Sequence, residues 1–270
     1  MIQTNWHTHT KRCGHAEGED EAYVQAAVKA GLKILGFSDH APYPIPTPGD
    51  CMPIELYEDY VSSITALKEK YAGTIEIHLG MEVEYYPSQW ETLKRWRKEM
   101  EYCILGQHCL SFHGFSSYDI TEEKQLNQYF ECLEEACRHG LCDYIAHPDV
   151  CLWSYPRLDE SVRTLAEKIA DLSLRYDMPL ELNCGSGVRD YGWRHYEDGD
   201  RYAYPTRTMF EVFAEKKCPV IIGMDIHQPD HFLTDEYLNR ALDIVKGLDL
   251  NYLNDFDLVS AAKKRKKNFF

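Results

Sequence analysis

Short apolar runs that end in His, Asp or Glu recur along this chain, with amphipathic helical stretches between them, and no other feature restricts the fold as much. Asn5-Trp6-His7-Thr8-His9-Thr10 closes the first such run. His40 follows Ile34-Leu35-Gly36-Phe37-Ser38-Asp39, Glu82 follows the run 75–81, and His108 follows 103–107. His147 follows Tyr144-Ile145-Ala146, and Asp225 and His227 follow Val220-Ile221-Ile222-Gly223-Met224. Alternating strand-like and helix-like segments imply right-handed βαβ units and a parallel sheet. Polar residues at successive strand ends then gather on one rim, the face where barrel active sites sit.

The candidate strands are 2–9, 33–38, 75–82, 102–108, 142–147, 179–183 and 219–224. Helices are expected at about 19–30, 55–71, 89–100, 122–139, 159–177, 205–216 and 235–247. Gly31 and Gly140 stand where helix C-caps belong. Seven strands are one fewer than the usual eight, so the expected fold is an α/β distorted (β/α)7 TIM-like barrel. The 270 residues suffice for a single domain of this kind, and no Pro/Gly/Ser-rich linker divides them. The domain is placed at residues 1–262. Residues 263–270, with Lys263-Lys264-Arg265-Lys266-Lys267, are taken as a solvated basic C-terminal tail. Two long irregular segments follow strand ends: 41–54, rich in proline, and 184–204, rich in glycine, aromatics and arginine. Loops of this length in a compact domain are often functional.

Charge and cysteine usage narrow the function. A net charge of -15 repels phosphate backbones, so no nucleic-acid partner is expected. A small phosphorylated substrate stays compatible, because cations and local arginines reverse the field inside a pocket. None of the ten cysteines forms a Cys-x-x-Cys pair, which argues against zinc ribbons and thioredoxin-type sites. No apolar signal segment or membrane-spanning run is visible, so a cytoplasmic protein with free thiols and no membrane partner is expected.

His7 and His9 alternate on a strand and so point the same way. With His15, His40, Glu82, His108, His147, Asp225 and His227 they form a histidine and carboxylate inventory without thiolates, which suits Zn, Mn or Fe. His7, His9, Glu82 and Asp225 make one candidate shell. Glu82, His108 and His147 make a second, bridged by Glu82, and His15, His40 and His227 a third. A bridging carboxylate holds two metals roughly 3.5–4 Å apart, the separation used in two-metal phosphoryl chemistry. His78, His113 and His139 read as structural histidines, and His195 fits either role. Glu84, two residues past Glu82, is either a salt-bridge partner or a contact to a metal ligand or a substrate ammonium.

At these residues the chain resembles the PHP (polymerase and histidinol phosphatase) superfamily, and within it the histidinol-phosphate phosphatase branch. The resembling segments are His7-Thr8-His9, Cys13-Gly14-His15-Ala16, Gly36-Phe37-Ser38-Asp39-His40-Ala41-Pro42, Gly80-Met81-Glu82-Val83-Glu84, Gly106-Gln107-His108, Ala146-His147-Pro148-Asp149, Glu181-Leu182-Asn183 and Gly223-Met224-Asp225-Ile226-His227. They run in family order over nearly the whole chain. The resemblance implies a distorted (β/α)7 barrel with a trinuclear centre, and it assigns the three ligand sets to separate metals. Two positions depart from the pattern. Ile226 replaces a residue that is commonly small, and Asp39 stands where Glu commonly precedes the histidine.

The implied reaction is hydrolysis of L-histidinol phosphate, in histidine biosynthesis, by a metal-bridging hydroxide attacking phosphorus in line. No activated Ser or Cys is apparent, and Ser186 lacks the strand–elbow–helix setting of a hydrolase nucleophile. Arg157 and Arg189, in the loops after strands five and six, match the arginines this branch uses to hold phosphate. Their planar forks suit that anion. His231 is the candidate general acid for the leaving alkoxide. The alternatives are a phosphoesterase of the same superfamily for another small ester or nucleotide, and a non-enzymatic metal-binding module. Shared carboxylate and two-histidine shells leave positions open for water, which favours catalysis over a closed structural site.

Overall fold

Each expected apolar run forms a strand of one parallel sheet. In the computed structural model, which describes residues 2–44, 51–253 and 256–269, the first six strands lie side by side in chain order. They are β1 (Thr4–Asn5), β2 (Ile34–Phe37), β3 (Glu76–Val83), β4 (Tyr102–Leu105), β5 (Tyr144–Ile145) and β6 (Leu180–Asn183). β7 (Trp193–Tyr196) and β8 (Gly199–Tyr202) leave the sheet as an antiparallel hairpin. β9 (Pro219–Gly223) returns beside β6, and β10 (Asn251–Tyr252) pairs with the start of β9. The result is an α/β fold with a curled eight-stranded parallel sheet of the TIM-barrel kind.

β1 is shorter than expected, yet its pairing continues to the rim. Thr8 bridges Ile226, with His9 N–H donating to Ile226 O at 2.9 Å and Ile226 N–H to His7 O at 3.2 Å. The rims of the first strand and of β9 are thereby joined. Two-residue β10 is too short to give an apolar run of its own, so the sheet has one strand more than the sequence pattern showed.

Helices α1 (Asp20–Lys29), α2 (Tyr57–Lys70), α3 (Trp90–Glu99), α4 (Glu123–Arg138), α5 (Glu160–Tyr176), α6 (Arg207–Glu215) and α7 (Glu236–Ile244) occupy the expected stretches. α5 shows why. Asp159 accepts the Ser161 N–H at its start, and Val162, Leu165, Ala166, Ile169, Ala170 and Ser173 recur at helical spacing on the buried face. The segment 184–204, expected to be irregular, instead contains the β7–β8 hairpin. Residues 45–50 of the proline-rich segment lie outside the described residues.

The basic run is helical, with Lys263, Lys264 and Lys267 exposed. α8 (Leu258–Phe269) contains it, so a boundary at 262 falls inside a helix. Leu258, Val259 and Ala262 pack with Trp6, Tyr102, Ile104, Tyr144 and Ile221 in the barrel interior. Burying a leucine there contributes about 1.5–3 kcal/mol. Arg265 donates to the carbonyls of Asp143 and Asp177, and Lys266 to that of Met100. These carbonyls precede strands β5, β6 and β4, so α8 covers the face opposite the rim. No helix among the described residues is long and apolar enough to cross a membrane.

Candidate metal centre

The strand ends bring all nine marked side chains together. The rings of His7, His9, His15, His40, His108, His147 and His227 form a continuous chain, with neighbouring centroids 4.1–5.6 Å apart. His15 reaches the cluster from the short turn after the first strand, where its Nε2 lies 3.0 Å from His227 Nε2. Glu82 occupies the middle. Its Oε2 faces His40 Nδ1 at 3.1 Å, His9 Nε2 at 3.5 Å and His7 Nε2 at 3.6 Å, while Oε1 faces His147 Nε2 at 3.0 Å and His108 Nε2 at 3.8 Å. Asp225 Oδ1 lies 3.2 Å from His9 Nε2 and 3.5 Å from His7 Nε2. Several donor triads share these atoms: His7, His9 and Glu82; His7, His147 and Asp225; His40, Glu82 and His108; His9, His40 and His227. The three shells drawn from sequence therefore merge into one cluster, with Glu82 facing two sets of histidines.

These residues fit divalent cations. Among the described residues, His7 Nε2, Glu82 Oε2 and Asp225 Oδ1 are buried without hydrogen-bond partners and converge on one another. Orphaned polar atoms of this kind are costly unless a ligand satisfies them. The electrostatics agree. Burial would raise the acids, but His40, His7 and His108 hold Glu82 well below the usual carboxylate range, and His7 and His227 do the same for Asp225. Burial would lower His7, but Glu181, Asp225 and Glu82 outweigh it and carry it up to about 10. The cluster thus draws positive charge to its centre.

Buried neighbours aim the ligands. Glu181 Oε1 accepts from His7 Nδ1 at 2.8 Å, and its Oε2 accepts the His147 N–H at 2.9 Å and Asn183 Nδ2 at 2.8 Å. Asn183 Nδ2 also reaches Asp225 Oδ2 at 3.3 Å. On the other side, Asp39 Oδ1 lies 3.4 Å from His9 Nδ1, and Asp39 accepts from Thr10 Oγ1 and the His40 N–H. The carboxylate behind His7 fixes which of its ring nitrogens faces the centre, and Asp39 stands behind His9 at ion-pair distance. Close packing requires glycine at two points: a Cβ on Gly106 would sit 1.8 Å from Glu82 Oε1, and one on Gly223 would sit 1.7 Å from Glu181 Oε1. His147 and Asp225 have φ of 27° and 49°, a left-handed backbone rare for such residues and typical of strained functional sites. Sequence reasoning had quoted Glu181 and Asn183 without giving them a role.

Two cavities flank the cluster. One, of about 360 Å³, is lined by eight of the nine residues, together with Glu84, Ser116 and Tyr118. The other, of about 430 Å³, shares His15, His227 and Ser186 with it and adds Arg189, His231 and Tyr237. Arg189 is buried, with its guanidinium carbon 4.1 Å from the Tyr237 ring centroid. Its Nη1 donates to His231 Nε2 at 2.6 Å. Asp190, its sequence neighbour, pairs with Arg240 instead.

His231, the candidate general acid, lies against Arg189. Its Nε2 is occupied as an acceptor, and burial together with Arg189 lowers its pKa to about 4. Arg157 lines neither cavity. It is 60% exposed, with Asp159 at 3.4 Å and Glu197 at 3.7 Å. His78 bonds Glu76 and Glu101, and His139 lies against Tyr85 and Trp90, as structural histidines do. His195 is exposed and pairs with Asp200.

Fold and cluster together define a barrel protein built to hold metal at its C-terminal rim. The PHP domain family matches residues 5–185, and the chain belongs to that family. A probable histidinol-phosphatase of Deinococcus radiodurans is 31% identical over 234 residues, which is 83% of this chain and 85% of the relative. The histidinol-phosphatase of Bacillus subtilis is 26% identical over 263 residues, 84% of this chain and 94% of the relative. Among solved structures, a histidinol phosphate phosphatase from Lactococcus lactis, complexed with zinc, L-histidinol and phosphate, superposes with a TM-score of 0.69. It is 15% identical and matches 95% of this chain and 97% of its own. A histidinol phosphatase proposed for Listeria monocytogenes gives a TM-score of 0.67 at 20% identity, over 84% of this chain and 96% of its own.

Proposed function

We propose that this chain is a metal-dependent phosphomonoesterase that hydrolyses L-histidinol phosphate to L-histidinol and phosphate. The observation that carries this reading is the buried Arg189 fork beside a cluster of nine metal-binding side chains, the two meeting at His15 and His227. The histidinol-phosphatase names of the relatives support the substrate.

Two or three divalent ions, of Zn, Mn or Fe, suit the donor set. His7, His9, Glu82 and Asp225 would hold one; Glu82, His108 and His147 a second; His15, His40 and His227 a third. Divalent metals supply Lewis acidity and an acidified water for attack on phosphorus. The chain's own residues do the rest. Glu181 and Asp39 keep the first two histidines aimed. Arg189 binds phosphate oxygens and neutralises the charge that grows on them in the transition state. Tyr237 and His231 hold its guanidinium in place.

We read the barrel as seven-stranded, its rim closed by the Thr8–Ile226 bridge and β10 added at the foot of β9. One domain spanning residues 1–262, completed by α8, fits this reading. Ten free thiols favour a cytoplasmic location.

The test is metal content and phosphate release measured on one preparation, with L-histidinol phosphate and a panel of other phosphomonoesters. Two or three metals per chain and a strong preference for histidinol phosphate are expected. Preference for another ester would keep the chemistry and discard the substrate. A folded, fully metallated protein that hydrolyses no ester would overturn the enzyme reading.

A further inference from the structure

The two cavities beside the metal cluster differ in charge. One carries Arg189. The other has no lysine or arginine among its described lining residues, and its one acidic group outside the metal-binding set is Glu84. Glu84 is buried and rigidly held: its Oε2 accepts the N–H groups of His108 at 2.8 Å and Cys109 at 2.9 Å and the Tyr86 hydroxyl at 2.5 Å. Its Oε1 takes no hydrogen bond among the described residues and lies 3.9 Å from His108 Nδ1. A fixed carboxylate with one open oxygen repels a phosphate ester unless positive charge also enters the cavity. Bound divalent metals would supply that charge on one side, and no described lining residue supplies it on the other.

We infer that Glu84 selects phosphate esters whose leaving group is cationic, an ammonium or imidazolium, by pairing with that group through Oε1. This deepens the proposed function and rests on it. The charge attracts the correct alcohol and disfavours neutral or acidic ones, so one group gives both the attractive and the repulsive half of specificity. The competing role, a brace for the loop that bears His108, uses the Oε2 hydrogen bonds and the 3.9 Å contact of Oε1 with His108 Nδ1.

Glu84→Gln separates the two roles, since an amide oxygen still accepts the backbone N–H groups while the charge is gone. The measurement is kcat/KM for L-histidinol phosphate, ethanolamine phosphate and p-nitrophenyl phosphate, with bound metal quantified in each preparation. A fall of roughly 10- to 100-fold for the cationic esters is expected, with p-nitrophenyl phosphate turnover raised because the repulsion is gone, and metal content unchanged. Glu84→Asp, which keeps the charge, should retain part of the preference. A parallel fall for all esters, loss of metal, or an unaltered preference in Glu84→Gln would overturn the inference. Wild-type preference for ethanolamine phosphate over histidinol phosphate, abolished by Glu84→Gln, would discard the histidinol reading and leave Glu84 as the selector. Wild-type preference for the neutral ester would discard both.

Discussion

Glu181 Oε1 accepts a hydrogen bond from His7 Nδ1 at 2.8 Å, and this contact turns His7 Nε2 toward Glu82 and Asp225. The same carboxylate holds the His147 backbone, so one buried residue aims two others at the metal cluster. Glu181→Gln should lower metal affinity by about 10- to 100-fold, as loss of such a partner typically does. Gly223→Ala should act in the same direction, because its Cβ would occupy the space of Glu181 Oε1. Competition with a chelator, followed by the metal retained per chain, checks both. Wild-type retention in both variants would show that Glu181 does not aim the ligands.

Arg189 and Arg157 should behave differently although both are loop arginines. Arg189→Ala should leave metal content intact and reduce kcat/KM by about 100- to 1000-fold, the usual cost of losing one transition-state donor. Arg189→Lys should recover little, because a lysine lacks the planar fork and its stacking on Tyr237. Arg157→Ala should change activity by no more than about twofold, as for most exposed positions. Steady-state kinetics of the three variants decide. Equal losses at Arg157 and Arg189 would mean that the Arg157 turn reaches the phosphate.

The rim was legible because eight of the nine candidate ligands lie in or just after an apolar run, His15 being the exception, and strand ends in a parallel barrel share one face. His7, Glu82 and Asp225 could be placed this way with no knowledge of side-chain direction. The direction of a loop side chain is set by tertiary packing, which explains why Arg157 and Arg189 looked equivalent. Glu181 was hidden for a different reason. An acidic residue inside an apolar strand reads as an exposed face, and only the nearness of His7, 174 positions away, shows that it is buried and paired. α8 escaped because its basic residues dominate the local pattern, while the three apolar residues that fill the barrel sit at its start. β10 is too short to leave a pattern at all.

The Arg189–His231 contact predicts a pH effect. Burial, then the charge of Arg189, lowers the His231 pKa from its ordinary 6.5 to about 4. Between these values the unfolded chain binds more protons than the folded one, so stability increases with pH across that window. The contribution of neutral His231 is complete above pH 6.5 and is lost as pH falls toward about 4. Arg189→Ala removes one of the two causes and should raise the His231 pKa, read from its imidazole resonances by NMR titration. An unchanged value would leave burial as the sole cause.

Away from the rim, Arg97 and Asp143 form a fully buried ion pair, with Nη1 and Nη2 at 2.5 and 2.8 Å from the two carboxylate oxygens. Asp143 Oδ2 also accepts the Cys103 N–H at 2.9 Å, and its backbone carbonyl accepts from Arg265 of α8. The pair thus ties α3, β4 and α8 together at the foot of the barrel. Asp143→Ala leaves a buried guanidinium without its partner and should cost about 3–5 kcal/mol. For a chain of this size the melting temperature should fall by about 6–20 °C. Replacing both partners by apolar residues of similar volume, Arg97→Met with Asp143→Leu, should cost less than the single change, because no unpaired charge remains buried. Thermal unfolding followed by circular dichroism separates the cases. A double variant as unstable as Asp143→Ala would mean that the backbone hydrogen bonds of Asp143 matter more than its charge.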